Sequence, residues 1–306
     1  MAYENRFDGI QEFAETVRTG SFTAAAVTLG VTASAVGKSV SRLEARLGTK
    51  LLHRTTRSLS LTSEGEAFLA SCTNILEELE SAEGTLTAGA SVPVGRLRID
   101  LPGAFGRRHV MPVLLDLAMR HPKLDLSVMF SERTVDIFAE ATDLAVRIGE
   151  LKQDVGLSAR RLGTQRLMIC AAPQYLAEHG IPRDPAELLQ RDCVVGWRRE
   201  GRATWLLKHE GGPAFSQEAR IRHEFSDGDA MLDAVLGSAG LSQLPSWLIS
   251  EHIATGALVP VLEEYAGAEM PIHAVWPQSR YMKPKLRVVI DALVEAATDG
   301  RSGFHP

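Results

Sequence analysis

Cysteine is scarce in this sequence of 306 residues, which contains only Cys72, Cys170 and Cys193 and no Cys-x-x-Cys pair. An odd set of scattered cysteines excludes a disulfide framework and a cysteine-based zinc site. We therefore expect reduced thiols that are mostly buried. A redox sensor that uses Cys170 or Cys193 stays open as an alternative.

Long apolar runs are missing as well. The first ten residues hold no apolar signal core, and no uninterrupted apolar stretch is long enough to span a bilayer. We therefore expect a cytoplasmic protein. Its net charge of −5 argues against a protein that coats nucleic acid with its whole surface.

Signatures of catalysis are absent too. The sequence has no Gly-x-Ser-x-Gly and no His-Glu-x-x-His, and its nine histidines lack metal-ligand spacing. Gly37–Lys38–Ser39 resembles the end of a phosphate-binding loop, but Thr32 stands where that loop requires glycine. We expect no enzyme, no metal site and no cofactor.

A helix-turn-helix pattern is present near the N-terminus. Ser21 or Thr23 caps a short helix over Phe22–Leu29, and Gly30 ends it. Thr32 caps a second helix. The apolar stripe of this second helix has helical spacing and consists of Val36, Val40, Leu43 and Leu47.

The opposite face of the second helix is small, polar and basic, at Ser34, Lys38, Ser41, Arg42 and Ala45. Such a face suits the major groove of DNA, although a solvated surface is the alternative interpretation. Residues 1–63 carry eight basic and five acidic side chains, a local charge of +3. Two short apolar runs follow, Leu51–Leu52 and Leu59–Leu61, and they predict a two-stranded wing with basic and hydroxyl side chains at its turn.

This segment resembles the DNA-binding domain of the LysR-type transcriptional regulators. The resembling positions are Phe13, Ser21, Phe22, Thr23, Ala25, Ala26, Leu29, Ala35, Val36, Leu43, Glu44, Leu47, Gly48, Leu51, Arg54, Leu61, Thr62, Gly65 and Glu66. The resemblance implies a winged helix-turn-helix domain over residues 1–63 that binds double-stranded DNA. The residues expected to contact DNA are Ser21, Thr23, Thr32, Ser34, Lys38, Ser41, Arg42, Arg54, Thr55, Thr56 and Arg57.

This chain departs from the family pattern early in the second helix. Ala33 and Ser34 stand where the family usually has Gln followed by Pro or Ser, and Gly37 stands where it usually has Ser. Without the Gln, a two-bond contact to adenine is lost. The family's base preference therefore does not transfer to this chain.

A long linker helix is predicted over residues 64–88, with Ser63 and Glu66 as a capping box. Its coiled-coil seam consists of Phe68, Cys72, Ile75, Leu79, Ala82 and Leu86. We expect this seam to pair with a second copy of the chain, the alternative being that it packs on the chain's own downstream domain. Residues 89–94 are predicted to form a hinge.

From residue 95 onward, strands and helices alternate, which favours parallel-rich α/β sheets in two lobes. Predicted strands are Leu97–Leu101, Leu124–Phe130, Leu144–Ile148, Arg166–Ala172, Cys193–Trp197, Ile221–Phe225, Leu241–Leu244 and Ile272–Trp276. Predicted helices are Gln174–His179, Gly228–Gly237, Trp247–Thr255 and Lys285–Ala297. This region resembles the effector-binding domain of the same family, which is similar in fold to periplasmic solute-binding proteins. The resemblance implies lobe I over 95–164 and 270–306 and lobe II over 165–269.

An effector is expected beyond the carboxyl ends of the strands. The candidate residues there are Pro102, Gly103, Ala104, Phe105, Phe130, Ser131, Arg147, Ile148, Trp197, Ser226 and Asp227. Several of them have simpler alternative roles. The aromatic residues fit core packing, Ser226 and Asp227 fit a helix N-cap, and Arg147 fits an ion pair with Asp143 or Glu150.

The sequence thus predicts a multi-domain α+β protein with a winged helix-turn-helix, a long linker helix and a two-lobed α/β effector domain. The expected function is a ligand-responsive transcriptional regulator, a homodimer or homotetramer on an interrupted inverted repeat, with a small-molecule effector between the lobes. RNA polymerase is a further expected partner, through the family resemblance. A thiol redox sensor and a small-molecule binding protein remain as alternatives.

Overall fold

In the computed structural model, residues 6–54, 59–87, 92–132, 136–151, 155–196 and 202–298 are described. The chain divides into two units, Met1–Gly95 and Arg96–Pro306. The elements of the first unit are α1 (Ile10–Thr19), α2 (Phe22–Leu29), α3 (Ala33–Leu47), β1 (Leu52–Arg54), β2 (Leu59–Leu61) and α4 (Ser63–Thr87).

The bounds of α2 and α3 are set by the residues expected to cap them. The Ser21 hydroxyl accepts a hydrogen bond from the Thr23 amide at 3.2 Å, and the Thr32 hydroxyl accepts one from the Ala35 amide at 3.2 Å. Gly30 and Gly48 end the two helices with φ near +67° and +69°, a conformation that glycine adopts without strain. The predicted helix-turn-helix is therefore present.

The first unit packs the apolar stripe of α3 against α1. Val36, Val40 and Leu43 are buried beside Phe13 in one core cluster. Leu47 was predicted to share this stripe, but it is 40% exposed because it occupies the last position of the helix. Strands β1 and β2 then pair antiparallel as a wing.

Helix α4 begins differently from the prediction. Thr62, rather than Ser63, is the N-cap, since its hydroxyl accepts a hydrogen bond from the Gly65 amide at 2.9 Å. Of the predicted seam, Cys72 is buried in the core of the first unit and Phe68 packs on Phe13 at 5.9 Å between ring centroids. The beginning of the seam is therefore covered by its own domain.

The second unit holds the remaining elements. Its strands are β3 (Gly95–Leu101), β4 (Leu124–Phe130), β5 (Leu144–Ile148), β6 (Leu157–Ala171), β7 (Cys193–Gly196), β8 (Thr204–Lys208), β9 (Ala214–Glu218), β10 (Ile221–Phe225), β11 (Leu241–Pro245), β12 (Val259–Val261) and β13 (Glu269–Pro277). Its helices are α5 (Gly103–Phe105), a π-helical segment Gly106–Val110, α6 (Met111–Arg120), α7 (Pro173–His179), α8 (Gly228–Leu236), α9 (Ser246–Ala254) and α10 (Pro284–Thr298), with 3₁₀ turns at Pro185–Leu189 and Glu263–Tyr265.

The main sheet is mixed, not parallel-rich as predicted. Its order is β10-β7-β11-β6-β13-β5-β3-β4, with β12 on β6. β3 pairs parallel with β5, and β7 pairs parallel with β10 and β11, whereas β6 and β13 run antiparallel to their neighbours. β6 runs from lobe I into lobe II and β13 runs back toward lobe I, so these two strands pair antiparallel.

Two lobes with separate cores share this sheet. The core of lobe I joins β3, β4 and β5 to α6 and α10, while two clusters in lobe II join β7, β10 and β11 to α7, α8 and α9. β6 pairs with β13 up to Arg166 and with β11 from Leu167 onward. A hairpin of β8 and β9 completes lobe II and was not predicted.

No helix in the described ranges combines the length and the apolar character needed to cross a membrane.

Candidate functional site

The face of α3 that points away from the core is open to solvent. Ser34, Lys38 and Arg42 are exposed on it, whereas Val36 and Val40 are fully buried on the other side. The face forms a shallow hollow of about 750 Å³, and its lining includes Ser41 and Ala45. All five predicted face residues are thus brought together.

The basic residues of α3 fall into two groups. Arg46 donates hydrogen bonds to the backbone oxygens of Arg6 at 2.8 Å and Asp8 at 3.2 Å, so it holds the N-terminal segment in place. Lys38 and Arg42 make no ion pair with the part of the chain that the structure describes. Their charges therefore remain available to an anionic partner such as phosphate.

Three of the five predicted hydroxyl residues that the structure describes already bond to the backbone. Ser21 and Thr32 cap α2 and α3, and the Ser41 hydroxyl donates to the Gly37 carbonyl at 2.8 Å. Ser34 and Thr23 are exposed. The helix caps therefore account for two of these residues without any ligand.

The wing is only partly described. Arg54 lies in β1, paired with Leu59. Thr55, Thr56 and Arg57 lie outside the described residues. Their predicted contacts stay predictions.

A cavity of about 440 Å³ lies between the two lobes of the second unit. Six of the predicted effector residues line it: Pro102, Ala104, Phe105, Ser131, Arg147 and Ile148. They follow or end β3, β4 and β5, where the carboxyl ends of the strands meet. Lobe II closes the other side with the beginnings of α8 and α9.

The other predicted effector residues lie elsewhere. Gly103, Phe130, Ser226 and Asp227 line a neighbouring hollow of about 480 Å³, and Trp197 lies outside the described residues. Asp227 caps α8, since its carboxylate accepts from the amides of residues 229 and 230 at 2.9 and 3.0 Å. The alternative interpretation of Asp227 as an N-cap is therefore correct.

Two buried polar groups at the cavity, Asp100 and Gln165, were not predicted. The Ser131 hydroxyl donates to the Asp100 carboxylate at 2.9 Å, and the Trp247 indole N–H donates to the Gln165 amide oxygen at 3.0 Å. Asp100 and Gln165 are buried. Both strands, β3 and β6, carry other polar residues, so the sequence did not single out either one.

Three aromatic rings form one wall near the junction of the lobes. Trp247 meets His109 edge to face at 4.8 Å and Phe105 at 5.6 Å between centroids. The π-helical segment places His109 here, and π-bulges are frequent at functional sites. Burial, together with Arg108, lowers the pKa of His109, so the ring is neutral at ordinary pH.

The three thiols are unsuited to redox sensing. All three are buried, and burial raises the pKa of Cys72 to about 11 and those of Cys170 and Cys193 to about 12. Reactive sensor thiols have a low pKa and are accessible. The redox alternative therefore finds no support in the structure.

No group of three metal-ligating side chains comes together in the ranges that are described.

Comparisons with known proteins cover nearly the whole chain. Residues 7–66 match a family described as "Bacterial regulatory helix-turn-helix protein, lysR family", and residues 90–298 match "LysR substrate binding domain". The chain is 36% identical to the HTH-type transcriptional regulator CrgA of Neisseria meningitidis serogroup C over 92% of its own length and 94% of that protein. It is 33% identical to the HTH-type transcriptional regulator DmlR of Escherichia coli over 93% and 92% of the two lengths.

Solved structures are similar as well. The structure of CrgA, titled a LysR-type transcriptional regulator, is 33% identical, with a TM-score of 0.59 over 94% of this chain and 98% of that one. The full-length structure of the Vibrio cholerae virulence activator AphB is 26% identical, with a TM-score of 0.61 over 94% and 98%.

Proposed function

The chain belongs to the LysR family of transcriptional regulators, and on that premise we propose that it binds an interrupted inverted repeat as a homodimer or a dimer of dimers. We propose further that a small-molecule effector in the inter-lobe cavity shifts its conformation. A DNA-binding regulator of this family is not an enzyme. It acts where the chromosome lies, so we expect a cytoplasmic location and RNA polymerase as a partner.

The exposed face of α3 carries the DNA-binding part of the proposal. Its small residues allow the helix backbone to come close to base edges, while Lys38 and Arg42 reach bases or phosphates. The wing would add contacts to the phosphate backbone through Arg54, Thr55, Thr56 and Arg57. Two such helices in a dimer would sit in successive major grooves on one side of the DNA.

Binding of the protein to the DNA upstream of its own gene tests this proposal by fluorescence anisotropy. Lys38→Ala and Arg42→Ala should each weaken binding by about 1–3 kcal/mol if the side chain contacts base edges. A phosphate contact instead lowers the slope of log affinity against log salt by about 1. Arg18→Ala is the matched control, because Arg18 is an exposed base of the same domain that pairs with Glu15 on α1.

If both α3 variants kept the wild-type DNA affinity and salt dependence, the proposal that this face contacts DNA would be wrong. A protein that binds small molecules only would bind neither this DNA nor any other specifically.

The proposed homodimer rests on pairing through α4. Ile75 and Leu79 of the predicted seam are 42% and 50% exposed, although both are large and apolar. Burying such residues against a second helix removes apolar surface from water. Leu79→Glu should therefore lower the mass measured by sedimentation equilibrium, whereas Val155→Glu, at a 98% exposed position in the other unit, should not.

The effector part rests on the cavity between the lobes. A ligand that binds one arrangement of the lobes more tightly shifts the population toward it, and the α4 helices would transmit this change to the spacing of the DNA readers. A changed spacing changes the DNA bend.

Thermal-shift screening with organic acids, amino acids and phenols tests the cavity, since a ligand bound only by the folded form raises the melting temperature. Ile148→Trp should abolish the shift by filling the cavity, because Ile148 lines it. Val155→Trp introduces the same side chain on the exposed surface as a control. A compound that still raises the melting temperature of the Ile148→Trp variant would bind outside this cavity.

A further inference from the structure

A cluster of four charged side chains joins the two lobes beside the cavity. Arg107 and Arg108 belong to the π-helical segment of lobe I, and Asp227 and Asp229 belong to the beginning of α8 in lobe II. The Arg107 guanidinium donates to Asp229 at 2.6 Å and to Asp227 at 3.0 Å. Arg108 pairs with the other oxygen of Asp229 at 2.6 Å. Each lobe thus contributes one sign of charge to a shared network.

The backbones of the two lobes also approach closely here. A Cβ added to Gly103 would lie 2.9 Å from the Asp227 carboxylate, and one added to Gly228 would lie 3.3 Å from the Ala104 Cβ. Ala104 and Gly228 line the inter-lobe cavity, and Gly103 and Asp227 line the hollow next to it. The four charges therefore act at the rim of the candidate effector site.

The contacts within the network favour the charged forms of Arg107 and Asp229. Hydrogen bonds to Asp229 and Asp227 raise the pKa of Arg107, and the hydrogen bond from Arg108 holds the pKa of Asp229 below its usual range. The side chains keep 29–43% of their surface exposed, so dissolved salt reaches them. Dissolved salt should therefore weaken the network.

We infer that Arg107 and Arg108 are positioning residues that fix the width of the inter-lobe cleft through Asp227 and Asp229. They hold the beginning of α8 against α5 when no effector is present. An effector must then bind the arrangement that the ion pairs select, or supply the difference in free energy needed to part them. This inference about regulation rests on the proposed function, since cleft width matters only if the cavity takes the effector.

Double electron–electron resonance on the full chain, without effector or DNA, tests the inference. Spin labels at Met119→Cys in lobe I and Ile181→Cys in lobe II report the distance between lobes, because these positions are 83% and 60% exposed. The native thiols are buried and should stay unlabelled. Dilution with an excess of unlabelled protein suppresses distances between subunits.

Two double variants remove the same ion pairs from opposite sides. Arg107→Met with Arg108→Met removes the cations but keeps the length of the side chains. Asp227→Asn with Asp229→Asn removes the anions and keeps the cap of α8, because Asn caps helices as well as Asp does. Arg120→Met is the matched control, since its partner Asp116 lies in the same helix of lobe I.

Both double variants should shift or broaden the distance distribution by about 2 Å or more, the size of ordinary domain rearrangements. Raising the salt from about 0.05 M to about 1 M should do the same to the wild type. Arg120→Met should leave the distribution unchanged. Unchanged distributions in the isosteric Asn variant would overturn the inference, even if the arginine variant failed to fold.

The result is separable from the proposed function. The distance between the lobes is measured without an effector, so its outcome does not depend on whether the cavity binds a ligand. A thermal-shift screen that finds no ligand would therefore leave the distance result unchanged.

Discussion

Glu44 joins α3 to the wing, and its removal offers a quantitative test of this domain. Its carboxylate is 1% exposed at the end of α3. One oxygen accepts from the amides of Leu51 at 3.1 Å and Leu52 at 3.3 Å, and the other accepts from the Lys50 ammonium at 2.8 Å. The carboxylate thus satisfies two buried backbone donors where the chain turns from the helix into β1.

The cost of losing these contacts follows from the partners left behind. Glu44→Ala leaves two buried amides without an acceptor, at about 1–3 kcal/mol each when water does not replace it, and we expect a loss of about 2–4 kcal/mol. Glu44→Gln keeps an acceptor for the amides but places an NH₂ group near Lys50, so we expect a loss of about 1–2 kcal/mol. Lys50→Ala should cost less than about 1 kcal/mol, because the Lys50 side chain is 72% exposed.

Hydrogen exchange of the full chain measures this locally. In Glu44→Ala the amides of Leu51 and Leu52 should exchange roughly 30-fold to 1,000-fold faster, since each 1.4 kcal/mol is a factor of ten in the opening equilibrium. Peptides from the second unit serve as the internal control and should exchange as in the wild type. If Lys50→Ala accelerated exchange as much as Glu44→Ala, the ion pair rather than the backbone contacts would hold the wing, and the reasoning would fail.

Three further predictions concern other parts of the molecule. Gly37→Ala should raise the free energy of unfolding in urea by about 0.5–1 kcal/mol, because the added Cβ lies inside a helix and meets open space. The same Cβ crowds the exposed face of α3, so the variant should bind DNA more weakly. Tighter binding would contradict that role of the face. The three thiols of the native protein should resist a disulfide reagent up to at least about pH 9, because burial raises the pKa of each thiol to about 11 or 12. For the same reason an oxidant should leave the DNA affinity unchanged. Rapid labelling of the native protein would contradict this prediction. Trp247→Phe keeps the ring contacts with Phe105 and His109 but loses the hydrogen bond to Gln165. It should therefore lower the free energy of unfolding by about 1–3 kcal/mol. Trp276→Phe is the control and should lower it less, because the Trp276 ring makes no such bond among the described residues.

The DNA-binding domain could be predicted in detail because its signals are local. Ser21, Thr32 and Gly48 set the ends of α2 and α3 by contacts within four residues, and the stripe of Val36, Val40 and Leu43 fixes which face is buried. The exposed face then follows by geometry, since a helix that buries one side presents the other. The start of α4 was wrong by one residue because Thr62 and Ser63 have equivalent hydroxyls, and only the fold decides which one reaches the Gly65 amide.

The second unit shows where such reasoning ends. The pattern of strand and helix predicted the bounds of β5 and β10 correctly, and each has a parallel partner. It missed the antiparallel pairing of β6 with β13, because these segments lie about a hundred residues apart. The hairpin of β8 and β9 was missed, since its short strands carry no strong alternation in the sequence. Long-range pairing leaves no periodic signal within either partner.

The cavity illustrates both outcomes at once. The rule that ligands bind beyond the carboxyl ends of strands located the lobe I wall, at Pro102, Ser131 and Ile148, from each strand separately. The opposite wall depends on contacts between lobes, such as Trp247 with Gln165 across 82 positions and Arg107 with Asp229 across 122. A single lobe's sequence therefore indicates where an effector is expected, whereas the opposite wall and the ion pairs between the lobes depend on residues that only the folded chain brings together. Substitutions in these cross-lobe pairs should accordingly change effector response more than DNA affinity, and substitutions on α3 should do the reverse.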